Sequence, residues 1–214
     1  MFFTGLLAQG PGSGIAMRDG TLVFAARYWN SSSKSYPVLV YSRDHGRTWQ
    51  SSKTDKLMEM GDECQVAEIE PGTLMLNIRN QVKGLFMRSV FITKDLGETW
   101  EPHPTNRNTL IERRCNASLI FSPAEENCLG MDLLLFANCA SNKSRSRMTV
   151  KVSLDKGMTW HTANQLMIDE DRGFGYPNLT MVDRETVGIL YESSVASLVF
   201  QRIKLKDLVR HPDQ

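Results

Sequence analysis

Short apolar runs closed by turn signals recur along the whole 214-residue chain. The runs at 20–29, 37–41, 72–79, 84–92, 132–137, 148–153, 186–191 and 197–204 are rich in β-branched and aromatic residues and are bounded by Gly, Pro, Asn, Asp or Ser, the pattern of strands rather than helices. Helical periodicity is nearly absent, and only 206–210 reads as a terminal helical turn. The segment 63–79 reads as a hairpin whose turn is Glu70-Pro71-Gly72, so antiparallel pairing brings Glu63 and Arg79 to the same end. The chain is therefore expected to be all-β.

A repeat organises these strands. SRDHGRTW at 42–49, TKDLGETW at 93–100 and SLDKGMTW at 153–160 share the pattern Ser/Thr-x-Asp-x-Gly-x-Thr-Trp. One Asp two residues ahead of a Gly is ordinary turn chemistry, since the carboxylate accepts from nearby backbone N–H groups and Gly takes a positive φ. Three copies, each ending on one of the chain's four tryptophans, mark a repeated supersecondary unit. Their spacing matches propeller blades of about 40–50 residues, and the whole length then accounts for four blades. Blades are four-stranded sheets. The first residues read as the middle of a blade, so the chain is expected to be part of a longer propeller.

Composition narrows the partners. A net charge of +1 with interspersed acids and bases gives no basic face to follow a phosphate backbone, so nucleic acid is not expected. No run reaches the length of a membrane span or of a secretory leader. Cys64, Cys115, Cys128 and Cys139 lack metal or redox spacing and are expected to be reduced and mostly buried. The boxes lack the clustered oxygen ligands of a calcium loop, so neither a metal nor a cofactor is expected.

Several polar residues stand apart from the strands. Arg145 and Arg147 precede the strand at 148, where two residues apart on a strand they would share a face. Tyr176 sits in a glycine-rich loop before another strand, and Glu192 ends an apolar run, where a partly buried acid needs a partner.

The three boxes are similar to the Asp-boxes of sialidases, and the ordered set Glu63, Arg79, Arg145, Tyr176 and Glu192 resembles that family's active-site segments, most closely in bacterial exo-α-sialidases. The resemblance implies a β-propeller of sialidase type spanning residues 1–214, with about four of six blades present. It implies a retaining glycoside hydrolase acting on terminal α-linked sialic acid of glycoproteins, glycolipids or oligosaccharides, or else a trans-sialidase or a non-catalytic sialoglycan-binding propeller. In that scheme Tyr176 is the nucleophile and Glu63 takes its proton. Arg79 and Arg145 bind the substrate carboxylate, Arg147 being the weaker alternative to Arg145, and Glu192 orients a further arginine. That arginine and the acid/base aspartate would lie upstream of this chain. Asp19, Asp44, Asp62 and Asp95 do not replace the missing acid. The parent enzyme is expected outside the cytoplasm or in the periplasm.

Overall fold

Why each apolar run becomes a strand is plain from what it pairs with. A computed structural model describes residues 5–32, 34–53, 57–58 and 60–210. The chain separates into two compact units, Met1–Asn108 and Thr109–Gln214. Each unit is built from two antiparallel sheets of consecutive strands.

In the first unit, β1 (Leu6–Gln9), β2 (Ile15–Ala16), β3 (Leu22–Trp29), β4 (Ser35–Ser42) and β5 (Gln50–Ser51) make one sheet of order β1-β3-β4-β5, with β2 also on β3. The second sheet is β6 (Gly61–Glu70), β7 (Thr73–Asn80), β8 (Ser89–Thr93) and β9 (Glu101–Pro102) in sequence order. Val23 and Leu39 of one sheet and Val66, Leu76 and Ile78 of the other bury together. Each such side chain contributes about 1.5–3 kcal/mol of transfer free energy.

In the second unit, β10 (Ser118–Ser122), β11 (Leu133–Cys139), β12 (Met148–Ser153) and β13 (Gln165–Asp169) form one sheet. The other contains β14 (Gly175–Asp183), β15 (Thr186–Glu192) and β16 (Val199–Lys204) and is followed by the short helix α1 (Leu205–Leu208). Leu135, Val150 and Val152 pack with Leu179, Val187 and Ile189 across the two sheets.

Four sheets match the four expected blades, but the strand count per sheet is not uniform, since the first has five strands and the last three. The run expected to begin at 84 becomes a strand only at Ser89. A turn closes from Leu85 N–H to the Val82 carbonyl at 3.2 Å, and the Arg88 side chain, fully buried, donates from Nε to Asn77 Oδ1 at 2.6 Å. The expected terminal turn is present one residue early, as α1.

Each box joins the last two strands of its sheet in chain order, and the three copies have one geometry. Asp44 accepts from the Thr48 N–H at 2.8 Å and from Thr48 Oγ1 at 2.6 Å; Asp95 takes the same bonds from Thr99 at 2.9 and 2.6 Å, and Asp155 from Thr159 at 2.9 and 2.6 Å. The hydroxyls of Ser42, Thr93 and Ser153 bridge the Asp to the Gly N–H two residues later. The residue before each Gly is left-handed, at φ 59° for His45, 56° for Leu96 and 58° for Lys156, and the glycines follow at 84°, 87° and 88°. These bonds from Thr48 and Ser42 hold the Asp44 carboxyl down at about 2. Burial opposes ionisation of Asp95 and Asp155, but their threonine and serine bonds still keep both below the usual carboxylate range.

Candidate functional site

The expected site residues gather around two bulges, one in each unit. A bulge puts two residues opposite one and re-aims their side chains, which a regular strand would send to opposite faces.

In the first unit, the β6–β7 register passes from Gly61↔Asn80 to Cys64↔Ile78 with a shift between. Asp62 and Glu63 therefore both face Arg79. Arg79 Nη1 donates to Glu63 Oε2 at 2.6 Å, and its Nε lies 3.7 Å from Asp62 Oδ2. The hairpin expectation thus holds, and the pair is no loose surface contact: the Glu63 and Arg79 side chains are 5% and 13% exposed. Arg27 of β3 adds a second guanidinium, with Nη1 3.3 Å from Glu63 Oε1 and hydrogen-bonded to Asp62. Gln81 donates to Asp62, and Arg27 lies 4.5 Å from the Trp29 ring centroid. Two carboxylates and two guanidiniums thus neutralise one another where unpaired charge would be costly. Arg27 and Gln81 were absent from the sequence reading. Arg27 had a signal, as a lone charge in the apolar run of β3. Asp62 is held by Arg27 and Gln81.

In the second unit, the β14–β15 register passes from Gly175↔Glu192 to Asn178↔Leu190 with a shift. Tyr176 sits in that bulge at φ 50°, left-handed, after Gly175 at φ 90°. It is thus part of β14 and not of a loop before it: the Gly and Pro177 that flank it read as loop residues but serve the bulge. A left-handed tyrosine costs of order 1–3 kcal/mol and persists only where its surroundings over-determine it. Arg145 supplies much of that surrounding. Its Cζ is 5.3 Å from the Tyr176 ring centroid, Nη2 donates to the Arg114 carbonyl at 3.0 Å and Nη1 to the Phe174 carbonyl at 3.2 Å.

Arg147 separates from Arg145 decisively. Neither arginine is on β12, so they do not share a strand face. Arg147 is left-handed at φ 59° and makes an exposed pair with Glu170 at 3.5 Å, worth little in water. Glu192, half-buried opposite Gly175, lines a small cavity with Arg145, Ser146, Cys139 and Tyr191. Cys64, Cys115 and Cys139 are buried thiols as expected, whereas Cys128 is exposed.

Among the described residues no cluster of three or more His, Cys, Asp or Glu side chains could hold a metal, and no helix is long and apolar enough to cross a membrane.

Comparison with known proteins bears on these two clusters. Residues 3–189 match the sequence profile described as BNR repeat-like domain. The chain is 48% identical over 204 residues to a sialidase of Bacteroides fragilis, covering 95% of this chain and 37% of that protein. It is 32% identical over 189 residues to a sialidase of Micromonospora viridifaciens, covering 87% and 27%. Among solved structures, it superposes on the Hadza microbial sialidase Hz136 with a TM-score of 0.91 at 48% identity, over 96% of this chain and 39% of that one. The Trypanosoma rangeli sialidase solved in complex with sialic acid gives a TM-score of 0.76 at 20% identity, over 94% and 32%, a likeness of fold alone. The chain spans about two fifths or less of the length of these relatives.

Proposed function

Because the chain belongs to the BNR repeat-like domain family and has the fold of a sialidase-type β-propeller, of which it carries four blades, we propose that it is the part of an exo-α-sialidase that supplies the nucleophile. The reaction is retaining hydrolysis of terminal α-linked sialic acid on glycoproteins, glycolipids or oligosaccharides.

The carrying observation is Tyr176, held left-handed in a strand bulge beside the anchored guanidinium of Arg145. Sialic acid has a carboxylate on its anomeric carbon, so an Asp or Glu nucleophile would approach like charge, and a phenol does not. A tyrosine nucleophile is a known feature of sialidases. Tyr176 Oη would bond to the anomeric carbon as the bond to the leaving oxygen breaks. Its proton needs a base, because a phenol ionises only near pH 10 when unassisted, and Glu63 takes that role. Water then displaces the tyrosine from the opposite face, the one the leaving group had occupied, and the two inversions give net retention. Protonation of the leaving group falls to a residue outside this chain.

Arg79 and Arg145 are assigned to the substrate carboxylate, for which planar guanidiniums are suited. The carbonyl bonds of Arg145 fix its orientation before substrate arrives. Glu192 is assigned to an upstream arginine.

The test is a chimaera in which residues 1–214 replace the matching segment of the Bacteroides fragilis sialidase, assayed for release of a fluorescent alcohol from an α-sialoside beside its Tyr176→Phe variant. Turnover that disappears in the variant supports the reading. Undiminished turnover in the variant removes Tyr176 from the mechanism, and binding without turnover in the parent chimaera makes the chain a sialoglycan-binding propeller.

A further inference from the structure

Cys115 and Cys139 lie together beneath the Tyr176 bulge, and nothing in the proposed reaction uses them. They come from different places in the second unit, Cys139 from the end of β11 and Cys115 from the segment before β10, and both are buried, at 2% and 1% exposure. Each thiol is near enough to shift the other's ionisation. Both also crowd the same glycine. A Cβ added at Gly175 would stand 2.6 Å from Cys115 Sγ and 2.9 Å from Cys139 Sγ. The next residue is tied to the pair as well, because the Tyr176 N–H donates to Cys115 and the Cys115 thiol donates to the Phe174 carbonyl at 3.6 Å.

Two cysteines in contact can act as a thiol and its resolving partner if an oxidant arrives and if one of them is a competent thiolate. An approach exists. Cys139 and Gly175 both line the small cavity shared with Arg145 and Glu192, which is partly open to solvent and reaches the pair from the Cys139 side. A thiolate is also within reach. The neighbouring Cys139 thiol, with further help from the Tyr176 N–H and Arg145 against the opposing effect of burial, holds the Cys115 thiol below its ordinary value, while Cys115 and burial push Cys139 up. Cys64 differs: it is alone, its thiol bonded to the Ala26 carbonyl at 3.3 Å, and burial pushes it up to about 12.

We infer that Cys115 and Cys139 form a peroxide-oxidisable dithiol site, which closes to a disulfide directly under the Gly175–Tyr176 backbone. In the first step one thiolate attacks an oxygen of hydrogen peroxide, the O–O bond breaks, and a sulfenic acid forms with loss of hydroxide, which takes up the proton the thiol released and becomes water. In the second the other thiol attacks the sulfenic sulfur, the S–O bond breaks, and the disulfide forms with release of a second water. Two thiols lose two electrons, and peroxide takes them. Closing the bond withdraws Cys115 as a thiolate acceptor for the Tyr176 N–H, so oxidation loosens the bulge that aims the tyrosine. The site does not depend on the sialidase reading, since chemistry at Cys115 and Cys139 is measured on the chain without substrate.

The test treats the 214-residue chain with hydrogen peroxide, denatures it, alkylates the remaining thiols and maps the peptides by mass. The expected product is an intramolecular 115–139 link, lighter by two hydrogens, reversed by a phosphine reductant, with Cys64 alkylated. Amide exchange at Tyr176 is expected to quicken in the oxidised form. A bulky aromatic disulfide should modify exposed Cys128 and leave the buried pair untouched in the folded chain. In Cys139→Ala, peroxide should halt at a Cys115 sulfenic acid that a cyclic diketone traps. The proposal is overturned if Cys115 and Cys139 remain fully alkylatable after peroxide has modified Cys128, or if linkage appears only between chains. If Cys139→Ala does not fold, the peptide map of the unsubstituted chain decides alone.

Discussion

The Asp-boxes and the two bulges both depart from regular strand geometry, yet they are opposite kinds of feature. Each box is closed by its own eight residues, so three sequences with different variable positions give the same bonds to within about 0.1 Å and left-handed angles within a few degrees. The bulges at 61–64 and 175–178 are closed by residues remote in sequence: Arg27 and Gln81 for the first, Arg145, Cys115 and Cys139 for the second. Self-sufficient motifs can be repeated to build a scaffold, whereas the two bulges, whose geometry depends on several distant partners, carry the residues to which the proposal gives the chemistry.

The largest expected effect breaks the second bulge's chemistry and leaves its shape. Tyr176→Phe in the sialidase chimaera should lower kcat by about 10⁴-fold or more, as loss of a nucleophile does, with circular dichroism unchanged. Glu63→Gln should cost about 10²–10⁴-fold, the range for a lost proton acceptor.

The first bulge should fail in stability. Arg79→Met leaves Asp62 and Glu63 sharing one guanidinium in a buried setting, and denaturant unfolding should show a loss of about 3–5 kcal/mol. A loss near zero would mean that Arg27 alone neutralises both acids.

Lys151 gives a reference on a regular ladder. It sits in the middle of β12, 6% exposed, with Nζ donating to Asn138 Oδ1 at 2.5 Å, and burial lowers its amine from 10.5 to about 7. The unfolded chain therefore binds more protons than the folded one between pH 7 and 10.5. This group makes stability rise with pH across that window and contributes no slope below it. Lys151→Met should flatten that rise in unfolding curves taken at several pH values; an unchanged slope would assign it to other groups.

The smallest effect belongs to the boxes. Asp155→Ala removes the acceptor for Thr159 and Ser153 at an exposed turn, and solvent replaces much of what is lost, so about 1 kcal/mol is expected. Asp95→Ala should behave alike. A much larger loss at one copy would show that the boxes are not self-sufficient.

The same distinction explains what could be read from the sequence. The boxes, the hairpin from Glu63 to Arg79 and the core strands β3, β4, β7, β11, β12, β15 and β16 were legible, because turn chemistry and apolar runs are local. The resemblance to sialidases supplied the ordered set of five site residues, which spacing alone would not have. The bulges were not legible. One extra residue in a strand has no local signature, so Tyr176 between Gly175 and Pro177 read as loop, and the preference for Arg145 over Arg147 came from the resemblance and not from any visible geometry. Arg27, Arg114 and the Cys115–Cys139 contact belong to tertiary structure and were out of reach, although a charge inside the apolar run of β3 was a usable hint for the first.

The most direct measurement is to expose the chimaera to a fluorinated sialyl donor that forms but does not release the glycosyl-enzyme, then locate the adduct by peptide mass mapping. The account predicts one adduct, on the Tyr176 oxygen, absent from Tyr176→Phe. An adduct on any other residue, in protein that turns over the ordinary substrate, would contradict it.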